Sequence, residues 1–323
     1  MIVTITPNPS IDRTVTLGAQ LTRGAVHRVT SATSEPGGKG VNVARALSLA
    51  GLDAVALLPA AESDPIVAAL RTSGVTFRCV PVTGAVRTNL AITETDGTTT
   101  KLNEPGAHLV ESALTRLTQA VHDAAQHASW VVLSGSLPPG VPDDWYAQVV
   151  GMLSPLPCRI AVDTSERPLA ALAAAFRHAA PDLIKPNAEE LAGLVGASPE
   201  HLENAVAAGD PEPVVTAAGR LLGDGVGAVL VTLGAAGAVL VDPTGAWMAT
   251  PPPITPRSTV GAGDSALAGY LRADVGGAEP PQRLQMAVAY GSAAAALPGS
   301  ALPTPAQLDL TAVRVHAFAP TRP

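Results

Sequence analysis

Short apolar segments alternate with segments of helical spacing along most of this sequence, and this alternation limits the folds that the chain can adopt. Helical patterns cover 41–52, 64–74 and 109–127, and a further helix is predicted to begin at Gly263-Asp264. The apolar segments have the length of β-strands and lie at 2–6, 54–58, 130–136, 159–165, 182–187 and 229–234. Strands separated by helices form parallel sheets with helices on both faces. We therefore predict an α/β fold with a mostly parallel central sheet.

Two segments, 12–30 and 86–102, depart from this alternation. Polar and apolar residues alternate there one by one, and Asp96-Gly97 provides a turn within the second segment. This pattern is typical of short antiparallel strands with one face in water. We predict a small sheet beside the main domain that acts as a lid over a site. With no linker or repeat in the sequence, we treat 1–323 as one domain that contains these lid strands.

Composition and charge exclude several classes of protein. Of 323 residues, 47% are hydrophobic and 15% are charged, which is enough to build a large core. The net charge of −7 argues against a nucleic-acid partner. The longest apolar run, 226–241, contains Gly234 and Gly237, so we predict two strands around a turn instead of a membrane helix. The first residues lack a signal-peptide pattern, and we expect a cytoplasmic protein without a membrane partner.

Polar residues gather where the predicted strands end. These ends carry TPNPSID (6–12), SGS (134–136), DTS (163–165), KPNAEE (185–190) and TLG (232–234). In an open α/β sheet, ligands bind beyond the carboxyl ends of the strands. The sequence therefore predicts a ligand site at this edge of the sheet.

The stretch VGAGDS (260–265) combines small residues with one carboxylate, Asp264. Glycine and alanine allow backbone N–H groups at a helix start to converge on an anion. A carboxylate beside that anion suits a base that takes the proton of a substrate hydroxyl while a phosphoryl group is transferred. The alternative is that Asp264 only caps the helix.

The stretch PGGKGVN (36–42) surrounds Lys39 with glycines and could present its ammonium to a sugar or a phosphate. It is not a Walker A loop, because Lys39 is followed by Gly40 and no glycine lies five positions before Gly38. A glycine-rich turn with a solvated lysine is the alternative. Asp12, at the end of TPNPSID, could hold vicinal hydroxyls or could be an ordinary turn residue.

Other polar residues suggest phosphate and metal binding. Arg87 and Lys101 lie in the predicted lid and could clamp a substrate phosphate, although surface cations are usually only solvated. Asn187 and Glu190 share one helical turn, where Glu190 could organise the waters of a Mg²⁺ ion near ATP phosphates. A plain helix start explains the same pair. TLGAAG (232–237) could lie against a nucleotide or could form a hairpin turn.

In order along the chain, GGKGVNVARAL (37–47) and TVGAGDSALAG (259–269) resemble the PfkB (ribokinase-like) family of carbohydrate kinases. The resemblance covers almost the whole chain. Other stretches, NEPG (103–106) and LSGSLPPGVP (133–142) among them, are similar to the hexose-phosphate branch of the family. The resemblance to this family implies a ribokinase-like three-layer αβα fold, a small β-sheet lid, a homodimer through that lid, and ATP- and Mg²⁺-dependent chemistry.

The resemblance also implies residue roles. Asp264 would be the catalytic base, and Gly261, Ala262 and Gly263 would form the anion hole. The residues implied to bind the sugar phosphate are Asp12, Gly38, Lys39, Asn42, Arg87, Lys101, Asn103 and Ser136. The residues implied to bind ATP are Lys185, Asn187, Thr232, Gly234, Gly237, Gly263, Ala289 and Ser292. Glu190 would hold Mg²⁺ through water.

The expected reaction is ATP-dependent phosphorylation of fructose 1-phosphate at its 6-hydroxyl. Tagatose 6-phosphate and fructose 6-phosphate are alternative substrates. The assignment to fructose 6-phosphate is weakened, because some phosphofructokinases of the family have glycine where this chain has Lys39. A non-catalytic sensor of nucleotide or sugar phosphate is a rival, but such a sensor has no need of Asp264. GAAGAV (234–239) is not G-x-G-x-x-G, which argues against a dinucleotide-dependent oxidoreductase.

Overall fold

The apolar segments predicted as strands form the centre of a ten-stranded sheet. A computed structural model of the chain describes residues 1–318. Within that range the strands are β1 (Ile2–Ile5), β2 (Ser10–Leu17), β3 (Val29–Gly37), β4 (Ala54–Pro59), β5 (Thr76–Val80), β6 (Arg87–Thr93), β7 (Thr99–Asn103), β8 (Trp130–Ser134), β9 (Arg159–Asp163), β10 (Leu183–Ile184), β11 (Val229–Thr232), β12 (Ala238–Asp242), β13 (Gly245–Thr250) and β14 (Arg314–Phe318).

The helices fill most of the intervals between these strands. They are α1 (Lys39–Leu49), α2 (Pro65–Thr72), α3 (Glu111–Ala125), α4 (Trp145–Leu153), α5 (Glu166–Ala174), α6 (Phe176–Ala179), α7 (Ala188–Val195), α8 (Pro199–Ala207), α9 (Glu212–Gly223), α10 (Ala262–Val275) and α11 (Pro280–Ala295). Among the described residues, no helix has the length and apolar character needed to cross a membrane.

The large sheet has the order β14-β13-β12-β11-β10-β9-β8-β1-β4-β5. Its strands from β11 to β5 are parallel, and β12, β13 and β14 join antiparallel at one edge. The predicted mostly parallel α/β sheet is therefore confirmed. The run 226–241 forms β11 and β12 around a short 3₁₀ turn at Gly234–Ala236, as expected.

The two faces of the large sheet contribute to separate parts of the core. Successive side chains of a strand point to opposite faces. Val131 and Leu133 accordingly pack in one buried cluster with residues of α3, α4 and α9, whereas Trp130 and Val132 pack in another with α1, α10 and α11. The result is a sheet between two helical layers.

The remaining four strands form a second sheet in the order β3-β2-β6-β7, called the small sheet below. β3 and β2 are antiparallel, as are β6 and β7. The antiparallel strands predicted within each of the two segments are therefore confirmed, whereas the parallel pairing that joins β2 to β6 was not predicted. The chain crosses the main domain through α1, β4, α2 and β5 between these two strands, and a crossover of that kind is what parallel pairing requires. β3 extends to Gly37, well beyond the predicted limit at residue 30.

Helix α10 is fixed at its carboxyl end by a buried ion cluster. The Asp274 carboxylate accepts hydrogen bonds from Trp130 Nε1, at 2.8 Å, and from Arg159. Arg283 Nη1 lies 2.9 Å from Asp274 Oδ1. The Arg159 guanidinium also lies 4.4 Å from the centre of the Trp130 ring. Because a buried carboxylate is costly unless it is paired, this cluster holds α10 against the sheet.

Candidate active site

Asp264 lies in the first turn of α10, at the edge of the sheet where the parallel strands end. The helix starts after Gly261, whose φ of 77° is in the left-handed region that glycine adopts at low cost. Only 7% of Asp264 is exposed. A carboxylate at this position is favoured by the positive end of the helix dipole but loses most of its hydration.

The start of α10 has free hydrogen-bond donors. Within residues 1–318, the backbone N–H groups of Gly261, Gly263 and Asp264 donate no hydrogen bond, and that of Ala262 reaches Thr259 O only at 3.4 Å. No side chain caps this helix. Free N–H groups beside small residues are suited to an anion such as a phosphoryl group.

Helix α1 also begins at this point. Gly38 precedes it with a φ of 105°, and no side chain caps it. Gly40 lies directly on β1, since a Cβ there would be 2.7 Å from the backbone oxygen of Ile5. This close approach places Asn42 so that its Nδ2 donates to Asp264 Oδ2 at 2.9 Å. Family resemblance implies that Asn42 binds the sugar, and in the structure its amide group also contacts the predicted base.

Two lysines converge on a carboxylate at the end of β9. Lys39 Nζ lies 2.8 Å from Asp163 Oδ1, and Lys185 Nζ lies 3.1 Å from Asp163 Oδ2. The Asp163 side chain is fully buried. Lys185 also faces the turn at the start of α10, because a Cβ on Gly263 would be 3.3 Å from its Nζ. Asp163 was not among the predicted site residues, although its position in DTS at a strand end was the signal for it.

The charges of this group perturb one another. Burial raises the pKa of Asp264 from 3.8 to about 6, and the Asp163 carboxylate adds to the rise, while Lys39, Asn42 and Lys185 oppose it. Burial would raise the pKa of Asp163, but Lys185 and Lys39 outweigh it and lower that pKa. For Lys39, burial acts to lower the pKa, but Asp163 and Asp264 raise it. Asp163 is thus held as an anion, and Asp264 titrates near pH 6.

Asp12 lies in β2 of the small sheet with one carboxylate oxygen engaged. Ser10 Oγ and Asn89 Nδ2 donate to its Oδ1 at 2.7 and 3.0 Å. Its position leaves no room for a side chain at Gly37, because a Cβ there would be 2.3 Å from Asp12 Oδ2. Within the described chain Oδ2 accepts no hydrogen bond, so it can accept one from a ligand hydroxyl.

Arg87 begins β6, the neighbour of β2. Burial lowers its pKa, and the Asp12 carboxylate opposes that effect. Its Nη1 donates to Glu104 O at 3.4 Å, while its buried Nε donates to no group of residues 1–318. Ser136 follows β8 and accepts a hydrogen bond at 3.3 Å from Asn8 Nδ2. Asn8 also donates to Pro105 O, which ties the NEPG turn to this end of the site.

A cleft of about 680 Å³ separates the small sheet from the main domain. Asp12, Asn89, Lys101 and Asn103 line one wall, and the segments 256–260 and 298–300 line the other. The segment 256–260 leads directly into the start of α10, so Asp264 lies next to the cleft without lining it. Arg257 lines the second wall and was not predicted, because neither its spacing nor its neighbours mark it as a site residue.

A family model described as pfkB family carbohydrate kinase matches residues 6–307. The match includes Asp12, Lys39 and Asp264. The chain belongs to the pfkB family of carbohydrate kinases. Family membership also implies that ATP is a substrate of this kinase.

Curated relatives and solved structures agree with this assignment. A 1-phosphofructokinase of Rhodobacter capsulatus is 36% identical over 95% of this chain and 94% of the relative. An ATP-dependent 6-phosphofructokinase isozyme 2 of Escherichia coli (strain K12) is 33% identical over 93% of this chain and 94% of the relative. The crystal structure of phosphofructokinase-2 from Escherichia coli in complex with potassium has a TM-score of 0.86 and 32% identity, covering 95% of this chain and 96% of that one. The predicted ribokinase-like fold is confirmed.

Four of the residues assigned to ATP, Lys185, Asn187, Thr232 and Gly234, follow β10 and β11, on the side of β9 that is away from β8. Thr232, at the end of β11, bridges to Asn187, and its N–H donates to Pro186 O at 3.0 Å. Gly234 is exposed in the turn that follows, whereas Gly237 is buried and packs against β13. Gly237 therefore has a structural role in the hairpin, which was the alternative interpretation of TLGAAG.

Two further residues assigned to ATP lie on α11. Ser292 is half-buried, near the turn of α11 that faces Ala262, since a Cβ on Gly291 would be 3.3 Å from Ala262 O. Ala289 is only 4% exposed and belongs to the core between the helices and the sheet. Its side chain offers a nucleotide almost no surface.

Asn187 and Glu190 form a reciprocal helix cap at the start of α7. Glu190 N–H donates to Asn187 Oδ1, and Asn187 N–H donates to Glu190 Oε2, both at 2.8 Å. This is the helix-start alternative to a metal site. Among residues 1–318, no three acidic, histidine or cysteine side chains form a cluster that could hold a metal ion by themselves.

Proposed function

We propose that this kinase is a 1-phosphofructokinase, which transfers the terminal phosphoryl group of ATP to the 6-hydroxyl of fructose 1-phosphate. The observation that carries the proposal is the buried Asp264 at an uncapped helix start, beside a cleft that carries Asp12 on its opposite wall. Similarity to the Rhodobacter capsulatus enzyme supports fructose 1-phosphate as the acceptor.

Asp264 acts as the general base. Its Oδ2 accepts the hydrogen bond of Asn42, and its Oδ1 is available to the substrate. As the 6-oxygen forms a bond to the terminal phosphorus, its proton passes to Asp264 and the bond from that phosphorus to the bridging oxygen of ADP breaks. The free N–H groups at the start of α10 stabilise the negative charge on the transferred group. With a pKa of about 6, Asp264 is ionised and ready at neutral pH.

Lys39 and Lys185 supply positive charge on the nucleotide side of Asp264. Their common partner Asp163 fixes both ammonium groups in front of the Gly263 turn. A bound phosphate chain is then offered two cations without any rearrangement of the protein. We assign Lys39 to the transferred phosphoryl group as well as to the sugar, because it pairs with Asp163 and lies close enough to Asp264 to affect its pKa.

Mg²⁺ fits this site as a companion of ATP. Mg²⁺ in kinases keeps several waters and uses one or two carboxylates together with substrate phosphates. Glu190 offers such a carboxylate through Oε1, because only its Oε2 is engaged in the α7 cap among the described residues. Its charge also raises the pKa of Lys39, so it lies close to the two lysines. When bound, the metal would neutralise phosphate charge, with Glu190 holding it through water.

The small sheet serves as the lid of one kinase domain. Its cleft face carries Asp12, Asn89, Lys101 and Asn103, which are suited to hold the sugar and its phosphate. Closure over the sugar would exclude water from ATP and suppress hydrolysis. Arg87, held beside Asp12 and partly buried, is the principal candidate for the phosphate that the sugar already carries.

The opposite face of the small sheet is suited to a second copy of the chain. Leu90 and Leu102 are register partners there, and Leu102 is 56% exposed. Ile92 alternates with cleft-facing residues and therefore lies on the same outer face. Exposed apolar side chains on a sheet favour pairing, so we propose a homodimer through this face. We place the enzyme in the cytoplasm, where ATP and sugar phosphates are available.

The proposal is tested by measuring ADP release from Mg-ATP with fructose 1-phosphate, tagatose 6-phosphate, fructose 6-phosphate or no sugar. The highest kcat/KM is expected for fructose 1-phosphate. A preference for fructose 6-phosphate would favour the function of the Escherichia coli isozyme to which the chain is also similar. If protein that still binds ATP releases no ADP with any of the three sugars, the result would point to a sensor and contradict the proposal.

A further inference from the structure

Glu35 joins three parts of the molecule around the sugar end of the cleft. It lies near the end of β3, where the small sheet runs directly into α1. Arg45 of α1 donates from Nη2 to Glu35 Oε2 at 3.1 Å, and Ser300 Oγ donates to the same oxygen at 3.0 Å. Arg45 Nη1 also donates to Pro36 O at 3.3 Å. The small sheet, α1 and the segment 298–300 are therefore joined through one carboxylate.

Arg45 makes this junction more than a surface ion pair. Its side chain is only 14% exposed, while that of Glu35 is 36% exposed. A largely buried guanidinium with two oxygen partners has few alternative positions, and loss of its carboxylate leaves it partly unpaired. The pair also neutralises the Glu35 charge near a cleft that is expected to receive a phosphate.

The junction lies close to Asp12. Glu35 and Asp12 are register partners in the β2–β3 pair, so their side chains lie on the same face of the small sheet. Two residues further on, Gly37 contacts the Asp12 carboxyl group so closely that a Cβ would overlap it at 2.3 Å. A shift of the end of β3 relative to α1 therefore has to move Asp12.

We infer that Glu35 is a positioning residue for sugar binding, which acts through Asp12 by fixing the end of β3 to α1 and to Ser300. The inference rests on the proposed function, because it takes Asp12 as a contact of the sugar phosphate. Glu35 itself does not touch the substrate. Its role is to hold the Asp12 oxygen and the small sheet at the distance from α10 that phosphoryl transfer needs.

The test compares wild type with Glu35→Gln and Ser300→Ala, and uses Glu62→Gln as the matched control because Glu62 is exposed and lies outside the cleft lining. Glu35→Gln is expected to lower kcat/KM for the sugar phosphate about tenfold, with Ser300→Ala lowering it about threefold. The KM for ATP should stay within about twofold of wild type. An unchanged kcat/KM for the sugar, or an equal change in the KM for ATP, would overturn the inference.

A double-variant cycle separates positioning from general destabilisation. In an Asp12→Ala background, which removes the group that Glu35 is inferred to hold, adding Glu35→Gln should change kcat/KM less than about twofold. A full tenfold loss in that background would show that Glu35 does not act through Asp12.

Hydrogen exchange makes failure of this inference distinguishable from failure of the proposed function. If wild type turns over none of the sugar phosphates, the proposed reaction is wrong. Exchange of the amides in Ser10–Leu17 is then still expected to be faster in Glu35→Gln than in wild type and Glu62→Gln. Equal exchange in the three proteins would overturn the anchoring role of Glu35.

Discussion

The ionisation of Asp264 connects the chemistry of the site to the stability of the protein. Its folded pKa of about 6 exceeds the ordinary value of 3.8, so the folded state binds this proton more tightly than the unfolded state does. The stability that this group contributes is present below pH 3.8 and is lost as the pH rises through about 6. At pH 8 the buried, ionised carboxylate lowers the stability of the folded state, a cost that the proposed role as a base requires.

Replacing Asp264 with Asn is therefore expected to abolish most turnover and to stabilise the fold at pH 8. Turnover should fall by about a factor of 10² to 10⁴, the usual contribution of a general base. The gain in unfolding free energy at pH 8 is about 1–3 kcal/mol, and it should shrink toward pH 5. Steady-state kinetics and thermal unfolding at both pH values measure these effects. Near-normal turnover would remove Asp264 from the mechanism, and a loss of stability at pH 8 would contradict the cost assigned to its charge.

Asn42 sets where Asp264 titrates. Its N–H group stabilises the ionised carboxylate, so Asn42→Ala should raise the pKa of Asp264 above 6. The acid limb of the kcat/KM profile, which reports an essential base, is expected near pH 6 in wild type and at higher pH in the variant. Asn204→Ala, on the exposed face of α8, serves as the control. An acid limb that stays in place would show that the hydrogen bond does not tune the base.

Sequence patterns located many of these residues but not their partners. The motifs identified Asp264, Lys39 and Asn42 because glycines at a helix start leave a recognisable spacing. They could not show that Asn42 holds Asp264, since the two are 222 positions apart and meet only after α1 and α10 pack. Asp163 was not predicted as a site residue for a related reason, because Lys39 and Lys185 converge on it from distant segments of the chain.

At the scale of elements, the close approach of α1 to β1 determines the shape of the candidate active site. The patterns of strand and helix were enough to place most of the parallel strands. They were not enough to find the parallel pairing of β2 and β6, because alternation within a strand says nothing about the direction of its neighbour. The extent of β3 was missed because its residues are mostly exposed and polar.

Two glycines in helices should respond to alanine in opposite ways. At Gly40 in α1, a Cβ would lie 2.5 Å from Thr6 Oγ1 and 2.7 Å from Ile5 O, so Gly40→Ala must push the helix away from β1. We expect a loss of about 1–3 kcal/mol in unfolding free energy. At Gly219 in α9, nothing lies within 4 Å, and Gly219→Ala should add about 0.5–1 kcal/mol. Urea unfolding measures both changes, and equal effects would refute the assigned packing of α1.

At the scale of the whole molecule, the small sheet has two faces with different tasks. One face lines the cleft, and the other carries the exposed Leu102 beside the half-buried Leu90 and Ile92. Family resemblance suggested a dimer through this sheet, but the sequence pattern alone could not assign each residue to a face before the register of β6 and β7 was known. That register places Leu90 opposite Leu102.

Leu102→Asp is expected to convert the proposed dimer into monomers, because a charge would have to be buried in an apolar interface. Val110→Asp is the matched control, since Val110 is 50% exposed and precedes α3, outside the four strands of the small sheet. Light scattering after size-exclusion chromatography measures the mass of each protein. A monomeric wild type, or a Leu102→Asp variant that remains dimeric, would contradict pairing through this face.

The ion cluster at the carboxyl end of α10 contains one of the three tryptophans, and the positions of all three determine what the protein's intrinsic fluorescence can report. Trp130 belongs to that cluster, and the other two indoles, Trp145 and Trp247, lie in α4 and β13. All three emitters therefore sit on the large sheet or a helix packed against it, and the small sheet carries none. Tryptophan emission should follow global unfolding closely while remaining insensitive to the opening of the small sheet. A spectroscopist who wants to watch the cleft close has to add a fluorophore there, and can do so against a background that stays constant.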